Sequence, residues 1–157
     1  EAGRRAAHDT GMVNRRAVLG DAHVDRSIAK TSPVTAKFQD FITRTAWGDV
    51  WERPGLDHTE RRLLTIGVLT AVGNHGELDM HIRAALRAGV SADTIGEVLL
   101  HTALYAGVPN SNHGFALLDA AVLDAAEPTE AGPEAGPEAD PEAAPEADPE
   151  LDKEEDN

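Results

Sequence analysis

The 157-residue chain contains no cysteine, which excludes disulfide bonds, thiolate metal ligands and cysteine nucleophiles. No apolar run is long enough to cross a bilayer, and the N-terminus lacks the basic and then apolar pattern of a secretory signal. The sequence also lacks a P-loop, a G-x-G-x-x-G motif and a G-x-S-x-G motif. The lack of cysteine, of an apolar span and of a signal pattern predicts a cytoplasmic protein with no membrane partner.

Basic residues are too few to balance the acidic ones, so the formal net charge is −14. Most of this charge lies in residues 125–157, which hold 13 acids and a single base, Lys153. Residues 1–124 are nearly neutral, with 15 acids and 13 bases. Because neutralisation of phosphates by basic side chains dominates nucleic-acid affinity, the sequence predicts no nucleic-acid partner.

The acidic end is a repeat. Residues 130–149 read EAGPEAGPEADPEAAPEADP, which is a four-residue unit in five copies. Proline at every fourth position removes helix donors and pushes the preceding residue toward extended conformations. We therefore expect one folded domain over residues 1–126 and a disordered acidic tail over residues 127–157, which serves solubility or, as the alternative, docking.

The body repeats its apolar residues every three to four positions, which predicts an all-α fold. Asp57 and Glu60 form a D-x-x-E capping box before LLTIGVLTAV, a helix that is apolar on nearly all sides and is expected to be buried. The other predicted helices cover 11–19, 33–47, 77–88, 91–107 and 112–125. An irregular arm is expected after the first of them. The helix over 33–47 has an apolar face formed by Val34, Phe38, Phe41 and Ile42. Such wide apolar faces in a small body predict self-association.

Glu77 and His81 are four residues apart and share one face of their predicted helix. The carboxylate can orient the imidazole and raise its pKa, which would make a proton donor that works near neutral pH. A surface polar pair explains the same spacing. His75 and Asp79 extend the pair into a set of metal-type ligands, but its spacing matches no recognised metal site, so no metal and no cofactor are predicted.

Several other polar side chains are candidates for binding a ligand. Arg53 lies in the turn WERPGL, and Arg61 and Arg62 lie in the first turn of a helix, where cations are unfavourable unless they have another purpose. Bidentate binding of a carboxylate is one such purpose, and ordinary salt bridges are the alternative. The segment 101–114 adds a group of polar residues at a helix end, comprising His101, Tyr105, Asn110, Asn112 and His113. Asn110 or Asn112 could instead cap the next helix.

Four segments stand in a distinctive order: GDAHVDRS (20–27), WGDVWERPGLDHTERRLLTIGVLTAVG (47–73), ELDMHIRAALRAGVS (77–91) and EVLLHTALYAGVPNSNHGF (97–115). Together they resemble the carboxymuconolactone decarboxylase family of the alkylhydroperoxidase D-like superfamily, over residues 11–124. Redox members of this superfamily carry Cys-x-x-Cys-x-x-x-His, and this chain has Asn74, Glu77 and His81 at the corresponding positions. The resemblance implies an all-α helical bundle that forms a homo-oligomer, either a trimer or a hexamer, without disulfide chemistry.

The resemblance also implies an activity, the cofactor-independent decarboxylation of 4-carboxymuconolactone in protocatechuate breakdown (the β-ketoadipate pathway). The substrate would be a lactone dicarboxylate whose own ring accepts the electrons left by carbon dioxide. His81 would deliver a proton, with Glu77 orienting it. Substrate binding is then expected from Arg53 together with either Arg61 or Arg62, with weaker expectations for His23, Trp51, Tyr105 and Asn110.

Other interpretations of the chain stay open. It could be a non-catalytic helical oligomer whose tail docks partners, or a decarboxylase-family member that acts on another substrate. Because the first residue is Glu1 rather than Met, the chain could also be part of a fusion with the enol-lactone hydrolase of the same pathway. A thiol-dependent peroxidase is excluded by the lack of cysteine.

Overall fold

A computed structural model describes residues 1–126, and every regular element in this range is helical, which confirms the all-α prediction. The elements are α1 (Ala2–Leu19), α2 (Asp21–Ala29), α3 (Ala36–Ile42), a π-helical turn (Thr43–Trp47), a 3-10 turn (Val50–Glu52), α4 (His58–Val72), α5 (His75–Arg87), α6 (Ala92–Ala106) and α7 (Val108–Ala126). The expected tail lies outside the described residues. None of the described helices combines the length and apolar character needed to span a membrane.

Two apolar clusters divide the folded part of the chain. The larger one lies between α4, α5, α6 and α7, which we call the C-terminal bundle, and its buried members are Ile66, Leu78, Ile82, Ala85, Ile95, Leu99, Leu118 and Ala121. The smaller one belongs to the N-terminal layer, residues 2–52, and its buried members are Val18, Leu19, Val24 and Trp47. Met80 of α5 packs against this second cluster, so α5 contacts both clusters and forms the boundary between them.

Local signals for helix ends are confirmed. Asp57 accepts a hydrogen bond from the backbone N–H of Glu60 at 2.8 Å, and the Glu60 side chain accepts one from the backbone N–H of Asp57, also at 2.8 Å. Ser91 caps α6 by accepting from the backbone N–H of Thr94. Gly73 ends α4 with a positive φ of 73°, a conformation that glycine adopts without strain. Each of these ends is determined within four residues of sequence.

The N-terminal prediction was wrong. The chain forms two helices, α1 and α2, in place of a short helix over 11–19 and an irregular arm. A close approach of backbones holds α1 in place: a Cβ on Gly11 would collide with the carbonyl oxygen of Thr43, and one on Gly48 with that of Ala7. These contacts join residues more than 30 positions apart. Local periodicity therefore could not reveal them.

Two other helix predictions need correction. The apolar residues expected to be buried on the helix over 33–47 are partly exposed, since Val34 precedes α3 and is 88% exposed and Phe38 and Phe41 are about half exposed. The helix LLTIGVLTAV is buried on one side only, because its opposite side carries the exposed residues Leu64, Val68 and Val72.

The last helix starts at Val108, four residues before the predicted start at 112. Pro109 therefore lies in the first turn of α7, where its missing N–H has no intrahelical partner to lose. Neither asparagine is the residue before this helix. Asn110 instead donates from its side chain to the carbonyl of Ala71 at 3.1 Å, and so ties the start of α7 to the end of α4.

Candidate functional site

Glu77 and His81 lie one turn apart on α5, close to its N-terminus. The helix starts there because the Asn74 side chain accepts a hydrogen bond from the backbone N–H of Glu77 at 3.3 Å. His81 Nε2 is 3.7 Å from Glu77 Oε2, which is within ion-pair range but longer than a hydrogen bond. His81 is only 7% exposed, so the pair is a partly buried contact and not an ordinary surface pair.

The charge state of His81 differs from the expectation. Burial, the positive charge of Arg62 and then that of His23 together lower the pKa of His81 from 6.5 to about 4. The prediction of a raised pKa for His81 was therefore wrong. At pH 7 His81 is neutral, and its buried Nδ1 has no hydrogen-bond partner among the described residues.

Arg62 enters the site from α4 and is 5% exposed. Its Nη1 donates to the carbonyl of Val18 at 2.8 Å, and its Nη2 donates to the carbonyl of Ala17 at 3.1 Å. Both terminal nitrogens are thus bonded to the carboxyl end of α1. His23 is half-buried on α2. It is the fourth polar residue of this group, because it lies close enough to His81 to lower the pKa of His81 electrostatically.

Arg61, in the first turn of α4, and Arg53, on the loop before this helix, form a separate pair. Arg61 Nη2 donates to the backbone carbonyl of Arg53 at 2.9 Å, and its buried Nε has no partner in the described residues. The Arg53 side chain is 66% exposed and bonds Asp49 at 3.0 Å. The Arg61 side chain is thus bonded to the backbone of the loop that leads into α4, while the Arg53 side chain is bonded to Asp49.

The remaining predicted residues lie on α6 and α7. Tyr105 is 81% exposed and packs against the ring of His101, with their centroids 5.1 Å apart. Asn110 contacts the end of α4, as described above. His75 and His113 stack on each other with centroids 4.2 Å apart. Within residues 1–126 no three or more histidine, aspartate or glutamate side chains are arranged to hold a metal ion.

The structure thus brings together His81, Glu77, Arg62 and His23 out of the residues predicted from sequence. It also adds one that the sequence did not indicate, Arg87, whose Nη2 donates to the carbonyl of Leu19 at 3.2 Å. Arg87 lies in the last turn of α5, where a basic residue is ordinary. Its contact with α1 distinguishes Arg87 from other basic residues at helix ends, and this contact is visible only in the three-dimensional structure.

Comparison with known proteins identifies the family of the chain. The profile of the carboxymuconolactone decarboxylase family matches residues 36–120, which include α4, α5 and α6 entirely and most of α7. The chain is 45% identical over 114 residues to 4-carboxymuconolactone decarboxylase of Acinetobacter baylyi, covering 73% of this chain and 85% of that protein. It is 36% identical over 126 residues to nitrosuccinic acid decarboxylase of Metarhizium robertsii, covering 80% of this chain and 88% of that protein.

A third relative is 4-carboxymuconolactone decarboxylase of Pseudomonas putida, which is 57% identical over 42 residues, covering 27% of this chain and 88% of that sequence. The extent of these matches and the all-α architecture define the class of protein. The chain belongs to the carboxymuconolactone decarboxylase family.

The lowered pKa of His81 predicts a pH dependence of stability. Between pH 6.5 and about 4 the unfolded chain binds a proton at residue 81 that the folded chain does not. The free energy of unfolding should therefore fall as the pH falls through this window, by roughly 3 kcal/mol at about 1.4 kcal/mol per pKa unit. Urea denaturation at fixed protein concentration, at several pH values between 7 and 4, measures this slope.

His81→Gln should reduce the slope in this window, because it removes the group that titrates. His101→Gln is the matched control, since it removes an exposed imidazole from α6, and it should keep the wild-type slope. An unchanged slope in His81→Gln would show that His81 titrates in the folded chain as it does in the unfolded chain.

Proposed function

We propose that this protein is a cofactor-independent carboxy-lyase that converts 4-carboxymuconolactone into 3-oxoadipate enol-lactone and carbon dioxide in protocatechuate breakdown, and that it works in the cytoplasm. The observation that supports it most is the partly buried Glu77–His81 pair, in a chain that is 45% identical to a decarboxylase named for this substrate. Family membership alone leaves the substrate open, since another relative is named for nitrosuccinic acid.

The reaction needs little from the protein beyond positioning and a proton. The bond between the ring carbon and its carboxylate breaks, and the electron pair moves through the ring double bond to the lactone carbonyl oxygen. The resulting enolate then takes a proton on the ring carbon beside that carbonyl. The substrate accepts its own electrons, so the protein has to orient two carboxylates, stabilise the enolate oxygen and supply the proton.

His81 supplies that proton in our proposal. It is neutral in the free chain, so it must first gain a proton from solvent. A bound dicarboxylate brings negative charge next to the imidazole, which raises its pKa, and the neighbouring Glu77 carboxylate acts in the same direction. Because the pKa of His81 is low without a bound dianion, protonation of His81 depends on substrate.

Arg53 and Arg61 are the proposed ligands for the acetate arm of the substrate. Arg61 is bonded to the backbone carbonyl of Arg53, and Arg61 Nε is without a partner in the described residues. An exposed arginine such as Arg53 can turn toward a ligand at little cost, because its salt bridge with Asp49 is screened by water. Tyr105, Asn110 and His23 remain proposed contacts.

The protein is proposed to work as a homo-oligomer, and the resemblance implies a trimer or a hexamer. The support is a set of exposed apolar residues that continue from α4 to α6 and the start of α7, which we call the α4–α6 face: Leu64, Val68, Val72, Leu100, Leu104, Tyr105 and Val108. So many large apolar side chains on one small chain are typical of a surface that a second copy covers.

Kinetics of two variants test the catalytic pair. His81→Ala should lower kcat by about two to four orders of magnitude, the usual effect of losing a general acid. Glu77→Gln keeps the shape of the side chain but removes the charge that favours the imidazolium. It should therefore lower the pKa of His81 in the complex, so that this variant is less impaired at acidic pH than at pH 8. Ultraviolet absorbance of the lactone follows the reaction, and nitrosuccinic acid is the comparison substrate.

Three outcomes would contradict parts of the proposal. If Glu77→Gln is inactive at every pH and His81→Asn is active, Glu77 is the proton donor. Full turnover in both variants would leave the pair without a catalytic role. A wild-type protein that consumes nitrosuccinic acid and leaves the lactone intact would change the substrate, and one that consumes neither would favour a non-catalytic oligomer.

Association is tested by substitution on the α4–α6 face. Val68→Asp and Leu104→Asp place a charge among apolar side chains that a second copy would bury, so the molar mass measured by light scattering should fall toward that of a single chain. Val34→Asp, at an exposed apolar residue outside this face, is the matched control and should leave the mass unchanged. A mass that does not fall in the two face variants would contradict the assignment.

A further inference from the structure

The carboxyl end of α1 is bonded to two arginines from other helices. The last carbonyls of a helix have no intrahelical donor, and water or side chains must satisfy them. Here Arg62 of α4 donates to the carbonyls of Ala17 and Val18, and Arg87 of α5 donates to that of Leu19. Positive charge at this end of a helix is also favoured by the helix dipole.

The chain reverses direction immediately after this point. Gly20 has φ 88° and ψ 149°, and α2 begins at the next residue. Only glycine adopts this φ readily, so the corner between the two helices is sharp. The Gly20 carbonyl accepts from the backbone N–H of Val24 at 3.2 Å, which ties the corner directly to the first turn of α2. His23 lies in that first turn, and its position therefore follows that of the corner.

The two arginines also connect the corner to the candidate catalytic pair. Arg87 is six residues after His81 on α5, about 9 Å along the helix axis at 1.5 Å per residue. Arg62 and Arg87 lie close enough that, after burial, the charge of Arg87 is the next cause of the lowered pKa of Arg62. Three hydrogen bonds from α4 and α5 to consecutive carbonyls of α1 thus join the C-terminal bundle to the N-terminal layer.

We propose that Arg62 and Arg87 are positioning residues for the decarboxylase site: they hold the corner between α1 and α2 so that His23 stays beside His81. This inference rests on the proposed function for its effect on turnover. It assigns a different role to Arg62 from carboxylate binding, because both terminal nitrogens of Arg62 are already bonded to the backbone. Arg87 has no assigned role in the reaction itself.

Arg87 offers the cleaner test, because it is exposed and its replacement leaves the buried Arg62 in place. Arg87→Met should lower kcat about tenfold, since a misplacement of about 1 Å can cost more than that, and should leave KM within about twofold. Arg87→Lys should recover most of the activity, because its ammonium group can still donate to Leu19. Arg83→Met is the matched control: Arg83 is on the same helix and bonds Asp79 and Asp124, away from the corner, and its loss should not change kcat.

A double-mutant cycle separates positioning of His23 from general loosening of the fold. His23→Ala alone should lower kcat, and Arg87→Met should add little to it, because the residue being positioned is already gone. Arg62→Lys should lower kcat more than it raises KM. A rise in KM alone would show that Arg62 holds a substrate carboxylate and would contradict the proposal.

Nuclear magnetic resonance of the histidines in the free protein tests the geometry without any substrate. Arg87→Met should shift the imidazole resonances of His23 and leave those of His113, on α7, unchanged. The proposal would be overturned by a wild-type kcat in Arg87→Met or in His23→Ala. It would also be overturned if Arg83→Met lost as much kcat as Arg87→Met, or if Arg87→Met had its full effect in the His23→Ala background. If the wild-type protein does not act on the lactone, the proposed function fails, while the His23 resonances still show whether Arg87 holds the corner.

Discussion

Burial of His81 at the boundary between two apolar clusters is the constraint on which the site depends. α5 places Leu78, Ile82 and Ala85 in the C-terminal bundle and Met80 against the N-terminal layer, so the residue between these contacts loses its water from both sides. The imidazole is therefore neutral at pH 7. The neutral charge of the proposed proton donor cannot be explained by the Glu77–His81 spacing alone. It requires the N-terminal layer to cover α5.

The N-terminal layer is held in that position by polar contacts as well as by packing. Close backbone approach at Gly11 and Gly48 fixes α1 against the π-helical turn, and Arg62 and Arg87 fix its other end against α4 and α5. Arg62 also places positive charge near His81, which adds to the effect of burial. Structure and electrostatics are thus coupled, because the bonds that close the site also bias its charge state.

Part of this could be predicted from the sequence. The capping box at Asp57, the cap at Ser91 and the stop at Gly73 depend on residues within one turn of each other, and they were predicted correctly. The shared face of Glu77 and His81 follows from helical periodicity. The two N-terminal helices, the bonds of Arg62 and the sign of the His81 pKa shift could not be predicted, because each depends on contacts between residues far apart in sequence. The exposure of Val34 and that of Val68 could not be predicted either. A local pattern shows that one side of a helix is apolar, but it does not show what covers that side.

The central claim is that a dicarboxylate ligand converts His81 from a neutral to a protonated imidazole. The most direct measurement is a nuclear magnetic resonance titration of His81 with and without a non-reactive lactone dicarboxylate, with calorimetry in two buffers of different ionisation enthalpy to count protons. The account predicts that the pKa of His81 rises from about 4 toward neutrality on binding, and that binding takes up protons between these two values. Binding without proton uptake, or with an unchanged pKa of His81, would contradict it.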